Sequence, residues 1–243
     1  MATRIYDLPT RIFHWLFAGS FLTAFTIANT VDDESTIFAY HMLAGLVMGF
    51  IVLWRIVWGF IGSTHARFSD FSLNPKSLLQ YGKGVLTGQG RLWAGHNPAS
   101  SWAAVTMLLL ALALGVTGYL MANGSAGESL EDLHELLANA FIVVVVLHVA
   151  GVILHTLQHK DALGKSMVTG DKSGLPASTP SVYSHPIVAI IAVLLTLSFA
   201  GYLLQNFDAS NGSLKLFGTT LQLSENEAEY GESGHGETEH DDD

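Results

Sequence analysis

The feature that most constrains this chain is His148, which lies in the middle of a long apolar run covering residues 140–154. An ionisable imidazole at such a place is costly in hydrocarbon unless it binds or pairs with another group. His134 lies fourteen positions earlier in the same segment, and His14 and His41 lie near the starts of two other apolar segments. The fold must therefore provide partners for four histidines on hydrophobic helices.

The composition places this chain in a membrane. It has 243 residues, of which 49% are hydrophobic and only 13% charged, whereas soluble domains carry about 25% charged residues. The chain contains no cysteine, which excludes disulfides, cysteine-ligated iron–sulfur clusters and covalently attached c-type haem. The first apolar run has the length of a spanning helix and no small-residue cleavage site after it, so we expect it to remain as the first span.

Five segments are long enough to cross a hydrocarbon core of roughly 30 Å. They lie near residues 11–30, 38–60, 102–121, 133–157 and 186–204. The second connection, about 61–101, is too long for a plain turn and is broken by glycines and by Asn97-Pro98. We expect it to hold a short amphipathic helix at the membrane surface.

The connections alternate in charge. Lys and Arg lie before the first span and in the second and fourth connections, at Arg4, Arg11, Arg67, Lys76, Lys83, Arg91, Lys160, Lys165 and Lys172. The first and third loops and the C-terminal tail are acidic, and the net charge is −10. The positive-inside rule therefore predicts a cytoplasmic N-terminus and, after five spans, an outer C-terminal tail.

Helical geometry places the histidines of the fourth span in two separate sites. His134 and His148 differ by only about 40° around a helix axis and are about 21 Å apart along it. They share a face, and they lie too far apart for one metal.

The direction of the spans assigns a second ligand to each site. The first span runs outward, so His14 lies at the inner depth of His148. The second runs inward, so His41 lies at the outer depth of His134. Imidazole binds iron well, and bundles hold haem between side chains of facing helices. We therefore predict two non-covalent haems, ligated by the pairs His14–His148 and His41–His134, with both iron faces closed and electron transfer as the function.

Other residues fit this hypothesis without requiring it. Small residues on the same helices allow close helix approach or the entry of a flat macrocycle; they are Gly19, Gly45, Gly49, Gly115 and Gly118. Arg11 and Arg55 are candidates for the inner haem propionates. The alternative for each residue is ordinary: imidazoles at helix ends are often simply solvated, His148 can act in proton relay or core hydrogen bonding, and small residues usually serve helix packing.

Several motifs together resemble the bacterial cytochrome b561 family, which includes the b-type cytochrome subunits of nickel–iron hydrogenases. The resemblance covers about residues 4–170, and its clearest elements are the Asp-x-Pro-Thr-Arg-x-x-His opening and the fourteen-residue histidine spacing. The matching stretches are Tyr6-Asp-Leu-Pro-Thr-Arg-Ile-Phe-His14-Trp, His41 with Trp54-Arg-Ile-Val-Trp-Gly-Phe-Ile-Gly62, Ala66-Arg-Phe-Ser-Asp70, Gly95-His-Asn-Pro98, and Leu133-His-Glu-Leu-Leu-Ala-Asn139 continuing to Leu147-His-Val-Ala-Gly151.

The resemblance implies an all-α membrane protein, a four-helix bundle with two b haems, in a bacterial inner membrane. The family's four axial histidines correspond to His14, His41, His134 and His148. The resemblance further implies quinone exchange beside the inner haem, which suggests Asn97, His155 and Gln158 as quinone contacts; propionate or interfacial hydrogen bonds are the alternative roles.

The chain departs from the family pattern after about residue 175. We expect a di-haem bundle at 1–175, an additional membrane helix at 176–206 and an acidic, disordered outer tail at 207–243. The tail either guides a basic redox partner by its charge or only adds solubility. Its His235 and His240 are too loosely spaced to predict a metal site.

The leading hypothesis is a membrane electron carrier between the quinone pool and an outer c-type cytochrome or a dehydrogenase such as a hydrogenase, surrounded by lipid and without a nucleic-acid partner. Two alternatives remain open at this point: a transporter that uses intramembrane histidines for protons or divalent metal, and a haem-free anchor for an outer enzyme. Against the transporter hypothesis, the predicted spans lack intramembrane Asp or Glu. The anchor hypothesis gives no role to His148.

Overall fold

The structure is a computed structural model that describes residues 2–88, 92–124, 127–159 and 163–223. Arg91, Lys160 and the tail from 224 onward, with His235 and His240, lie outside the described residues. Five of the helices are long and apolar enough to cross a membrane, which confirms the five predicted spans.

The described chain is mainly helical. Its helices are α1 (Leu8–Thr30), α2 (Ala39–Ile61), α3 (Pro75–Leu86), α4 (Pro98–Ala122), α5 (Glu128–His159), α6 (Leu163–Thr169) and α7 (Pro186–Asn206), with a single 3-10 turn at Phe68–Asp70. Its strands are β1 (Thr3–Arg4), β2 (Asp171–Lys172), β3 (Phe207–Asp208), β4 (Ser213–Leu216) and β5 (Thr219–Gln222). We call the end of the bundle at which α1 begins the proximal end, and the opposite end the distal end.

Side-chain caps followed by proline fix the starts of three helices. Asp7 Oδ1 accepts a hydrogen bond from the backbone N–H of Thr10 at 2.8 Å at the start of α1, and Asn74 caps the predicted amphipathic helix, α3, in the same way. Asn97 caps α4, so this helix begins at Pro98 instead of near 102 as predicted. The Asn-Pro pair is a helix start because a cap satisfies a free N–H while proline lacks one.

Four long helices form the bundle, with α1 beside α2, α2 beside α4, and α4 beside α5. Their shared core contains Met48, Val52, Leu108 and Phe141, and Phe141 is fully buried. The fifth spanning helix, α7, lies against α1 and α2. It therefore extends the bundle on the side away from α5.

The prediction of a disordered tail from residue 207 is wrong for the described part of that tail. Residues 207–222 form the antiparallel sheet β3–β4–β5 at the distal end. Leu214 and Leu221 are fully buried against a cluster that includes Leu43 of α2 and Leu203 of α7. Alternating leucines give this segment one apolar face, and burial of that face on the helix ends stabilises strands too short to fold alone.

The proximal end is closed by the segments that flank the bundle. β1 pairs with β2 in an antiparallel arrangement, and α6 lies against α1. Trp15 donates its indole N–H to the Met167 carbonyl at 3.0 Å, and Arg11 donates from Nη1 to the Val168 carbonyl. These contacts attach the chain beyond α5 to the start of α1.

Candidate haem-binding sites

The distal histidine pair is His41 of α2 and His134 of α5. Their ring centroids lie 6.3 Å apart and their planes are inclined at 74°. Imidazole nitrogens bind a first-row metal at about 2.0–2.1 Å, so two rings on opposite sides of one iron have centroids roughly 6 Å apart. The distal pair therefore has the separation that two axial ligands of one haem iron need.

Hydrogen bonds orient both distal rings. His41 donates from Nδ1 to the Ala24 carbonyl at 2.9 Å. His134 Nδ1 lies 2.7 Å from Thr117 Oγ1, whose hydroxyl lies 3.1 Å from the Ala113 carbonyl and 3.2 Å from the Leu114 carbonyl. Because the hydroxyl donates to a carbonyl, it accepts from His134, and Nε2 of each ring keeps its lone pair for a metal.

The proximal pair is His14 of α1 and His148 of α5. The two imidazoles are close enough to interact electrostatically. His14 Nδ1 is buried and has no hydrogen-bond partner among the described residues. A buried polar atom of this kind normally has a partner, so the site is suited to a group that the polypeptide does not supply.

Four glycines of the spanning helices leave room for a further group. A Cβ placed on any of four bundle glycines meets no other atom of the described chain within 4 Å; they are Gly19, Gly45, Gly49 and Gly115. Each pair offers two nitrogen donors, and no group of three or more His, Asp or Glu in the described ranges is arranged to hold a metal ion alone. A porphyrin brings the other four donors, so the residues present fit a haem at each pair.

Comparison with known sequences decides the family. The profile of the family described as prokaryotic cytochrome b561 matches residues 5–170. The chain belongs to the prokaryotic cytochrome b561 family.

Curated relatives of this chain are also named b-type cytochromes. One from Bradyrhizobium diazoefficiens, named a probable Ni/Fe-hydrogenase B-type cytochrome subunit, is 24% identical over 69% of this chain and 85% of its own length. A protein of the same name from Rhizobium leguminosarum is 23% identical over 69% of this chain and 87% of its own length. A probable Ni/Fe-hydrogenase 1 B-type cytochrome subunit from Escherichia coli is 26% identical over 47% of this chain and 58% of its own length. No solved structure gives a significant match.

Family membership decides between the open alternatives. The chain is a multi-pass membrane cytochrome b, a class of haem protein that carries electrons. This excludes the histidine-based transporter and the haem-free anchor as the main function.

Arg55 lies at the proximal end of α2, fourteen residues after His41 and therefore on a similar face. Its guanidinium is 4% exposed and stacks over the Phe68 ring at 5.0 Å and the Phe13 ring at 5.6 Å. Nη2 donates to the Ala66 carbonyl at 2.9 Å, while Nη1 is buried without a partner in the described chain. The guanidinium lies over Phe13, the residue next to His14 in the chain. An unpaired buried donor at this position suits an anionic propionate.

Arg11 and Asn97 are already engaged by the protein. Arg11 contacts the last turn of α6 through the Val168 carbonyl, and its buried Nε has no partner among the described residues. Asn97 Oδ1 accepts from the backbone N–H of Ser100 at 2.8 Å as the cap of α4. The amide NH2 of Asn97 is the group that remains to contact another molecule.

The suggested quinone contacts His155 and Gln158 join α5 to α3. His155 is 2% exposed, and its Nδ1 lies 3.5 Å from the Tyr81 hydroxyl. Gln158 donates from Nε2 to the Val85 carbonyl at 2.7 Å. Both residues therefore have a structural role in holding the amphipathic helix across the proximal end.

Sequence reasoning missed two groups of residues near the histidines. Thr117 gave only the weak signal of a hydroxyl in an apolar helix. His96 was passed over within the Gly-His-Asn-Pro motif, and burial, followed by the nearby Arg55, lowers its pKa to about 3. Burial, with a smaller effect of Asp70, raises the pKa of Tyr6. The motif therefore carries a half-buried imidazole that stays neutral, beside the buried phenol of Tyr6, and the two ring centroids are 5.6 Å apart.

Proposed function

We propose that this cytochrome carries electrons across the membrane between the quinone pool at its proximal side and a redox partner at its distal side. The observation that supports this function is the placement of two histidine pairs at opposite ends of α5, with His134 near its start and His148 fourteen residues later. Bound haem b supplies one-electron transfer. The histidine pairs would hold the haems, and ligation by two imidazoles would favour electron transfer over oxygen chemistry.

The protein between the two pairs supports electron transfer without water access. Phe141 lies seven residues from each α5 histidine and is fully buried. It contacts Phe21 and Phe17 of α1, with ring centroids 4.7 and 5.9 Å apart. A dry, packed centre excludes a water path between the two sites while leaving them within one bundle.

The proximal end is the proposed side of quinone exchange. Exposed apolar side chains lead along α5 to this end, among them Ile153, Leu154 and Leu157, so a lipid-soluble substrate can approach from the bilayer. Asn97, His155 and Gln158 are the proposed polar contacts. The lysine-rich connections at this end support a cytoplasmic location of the N-terminus in a bacterial inner membrane.

The distal end is the proposed docking side for the redox partner, and the C-terminal tail is proposed to be periplasmic. The names of the relatives favour a hydrogenase subunit as the partner; a c-type cytochrome or another dehydrogenase is the alternative. Direct binding of each purified partner to the cytochrome in detergent distinguishes them.

Optical spectroscopy of the purified protein tests the proposed function. Reduction should produce sharp alpha and Soret bands, and haem extraction should yield two b haems per chain. A quinol added to membranes should reduce both haems in the wild type but fail in His148→Ala. As a matched control, His185→Ala removes an imidazole at the start of α7, outside both pairs, and should retain both haems. A colourless preparation, or haem that neither quinol reduces nor quinone oxidises, contradicts the proposal.

A further inference from the structure

A cluster of titratable groups outside the histidine pairs lies at the proximal end, next to a surface cleft. The cleft has a volume of about 250 Å³ and is lined on one side by residues 63–65 and on the other by residues 180–183 and His185. His65 forms part of its wall and is 9% exposed. Solvent in the cleft therefore contacts an imidazole that is otherwise buried.

His65 forms a hydrogen-bonded pair with Asp70. His65 Nδ1 lies 2.8 Å from Asp70 Oδ2, so the ring donates to the carboxylate and leaves Nε2 free to accept a proton. The side chain of His65 is 11% exposed and that of Asp70 is 29% exposed, so the pair is half-buried, with His65 in the wall of the cleft. Tyr183 and His185 face it across the cleft.

The loop that carries His96 is pressed directly against this pair. A Cβ on Gly95 would lie 2.5 Å from His65 Nδ1 and 2.9 Å from Asp70 Oδ2, so only glycine allows the approach. His96 follows Gly95 directly in the chain, and Asn97, one of the proposed quinone contacts, follows His96. His96 Nδ1 is buried without a hydrogen-bond partner in the described chain. The groups thus lie in order between the cleft and the proposed quinone contact Asn97.

We propose that His65, Asp70 and His96 form a proton path from the cleft to the proximal site, which supplies protons when quinone is reduced there. This inference rests on the proposed function. Reduction of a quinone to its quinol consumes two electrons, which originate from the redox partner, and two protons from proximal solvent. The polypeptide must therefore carry those protons to the proposed quinone contacts.

Each proton transfer is balanced along the series. A proton from cleft water binds His65 Nε2 while His65 Nδ1 releases its proton to Asp70, so the ring stays neutral overall. Asp70 passes the proton toward His96, which accepts at one nitrogen and releases from the other to the reduced quinone oxygen. Flips of the two rings restore the starting tautomers.

Rapid mixing of the reduced holoprotein with a water-soluble quinone tests the path. Ferricyanide, which takes electrons without protons, serves as the reference oxidant. In Asp70→Asn and His65→Asn, reoxidation by the quinone should slow at least about tenfold, since positioned acid–base groups contribute at least this much. Reoxidation by ferricyanide and haem content should not change. Deuterium oxide should slow the quinone reaction further in the variants.

Asp171→Asn is the matched control, because it neutralises an exposed proximal carboxylate that pairs with Arg4 at 3.8 Å, outside the path. Asp70→Glu keeps the carboxylate and should recover part of the rate, which separates proton transfer from loop damage if Asp70→Asn loses haem. Quinone rates at the wild-type level in both variants overturn the path and leave the pair as a loop support. A wild type that ferricyanide oxidises and quinone does not overturns the proposed quinone function, and the path with it.

Discussion

Phe141 packs against Phe21 with ring centroids 4.7 Å apart, and this contact joins α5 to α1 midway between the two histidine pairs. Phe17 meets the same ring at 5.9 Å. Because α1 and α5 each supply a histidine to the proximal pair, the aromatic contact also sets the spacing of the two helices. The contact between Phe141 and Phe21 lies in the apolar core and separates the two sites.

Truncation of Phe141 should lower stability and alter both sites at once. Phe141→Ala removes a fully buried ring and should cost about 3–5 kcal/mol, with Phe141→Leu costing less. Water in the resulting cavity should lower both haem midpoint potentials, since water stabilises the more charged ferric state. Thermal unfolding and redox titration measure the two effects.

Phe199→Ala is the control for this variant, because Phe199 of α7 stacks on Phe50 at 4.7 Å away from the pairs. It should lower stability without moving the potentials. Equal effects of the two variants on the potentials contradict a partition role.

Removal of single ligands should remove single haems. His134→Ala leaves His41 without a partner and should lose the distal haem, while His148→Ala should lose the proximal one. Haem per chain should fall by about half in each case, since each iron depends on both imidazoles. Pyridine haemochrome assays give the count, and full haem retention in both variants contradicts the ligand assignment.

Thr117 should tune the distal site through His134. In Thr117→Val the N–H of His134 Nδ1 loses its acceptor, so we expect roughly 10- to 100-fold weaker haem retention, as for other hydrogen-bonded metal ligands. The distal midpoint potential should rise, because the imidazole becomes less basic. Haem loss to apomyoglobin and redox titration measure these changes.

Thr196→Val provides the comparison for Thr117→Val. Thr196 is a buried threonine of α7 that donates to the Ala192 carbonyl at 2.8 Å, outside the bundle core. Both haems should behave as in the wild type. If the two valine variants behave alike, the hydrogen bond to His134 has no role at the metal.

Acid should destabilise the fold through His96. Burial lowers the pKa of this imidazole to about 3, from the usual 6.5. The unfolded chain therefore binds a proton below about pH 6.5 that the folded chain does not. The stability that His96 contributes is complete above this pH and is lost as the pH falls toward 3. Thermal unfolding between pH 7.5 and 5 should show the loss, and His96→Gln should reduce the slope.

The orientation in the membrane can be tested with single cysteines, since the chain has none. Lys83→Cys lies on exposed α3 at the proximal end, and Ser210→Cys lies in the exposed loop before β4 at the distal end. A membrane-impermeant maleimide should label spheroplasts only at position 210, and lysed membranes at both positions. The reverse pattern on spheroplasts contradicts a cytoplasmic N-terminus.

The five spans could be predicted from the sequence, and the proposed histidine pairs follow from it, because both depend on local rules. Apolar length fixes a span, and the helical repeat fixes which face and depth a residue occupies. The structure places the ring centroids of His41 and His134 6.3 Å apart, and His14 and His148 interact electrostatically. Whether these pairs hold haem iron stays a prediction.

Other features depend on contacts between distant segments, and no local pattern specifies such contacts. The sheet of residues 207–222 was missed because its strands are short and gain their stability only by burial on α2 and α7. The roles of Thr117, Phe141 and the His65–Asp70 pair follow from neighbours that are far away in the chain. The sequence determined the membrane helices and the face of each histidine, while tertiary packing decided which polar groups orient those histidines and which apolar groups separate them.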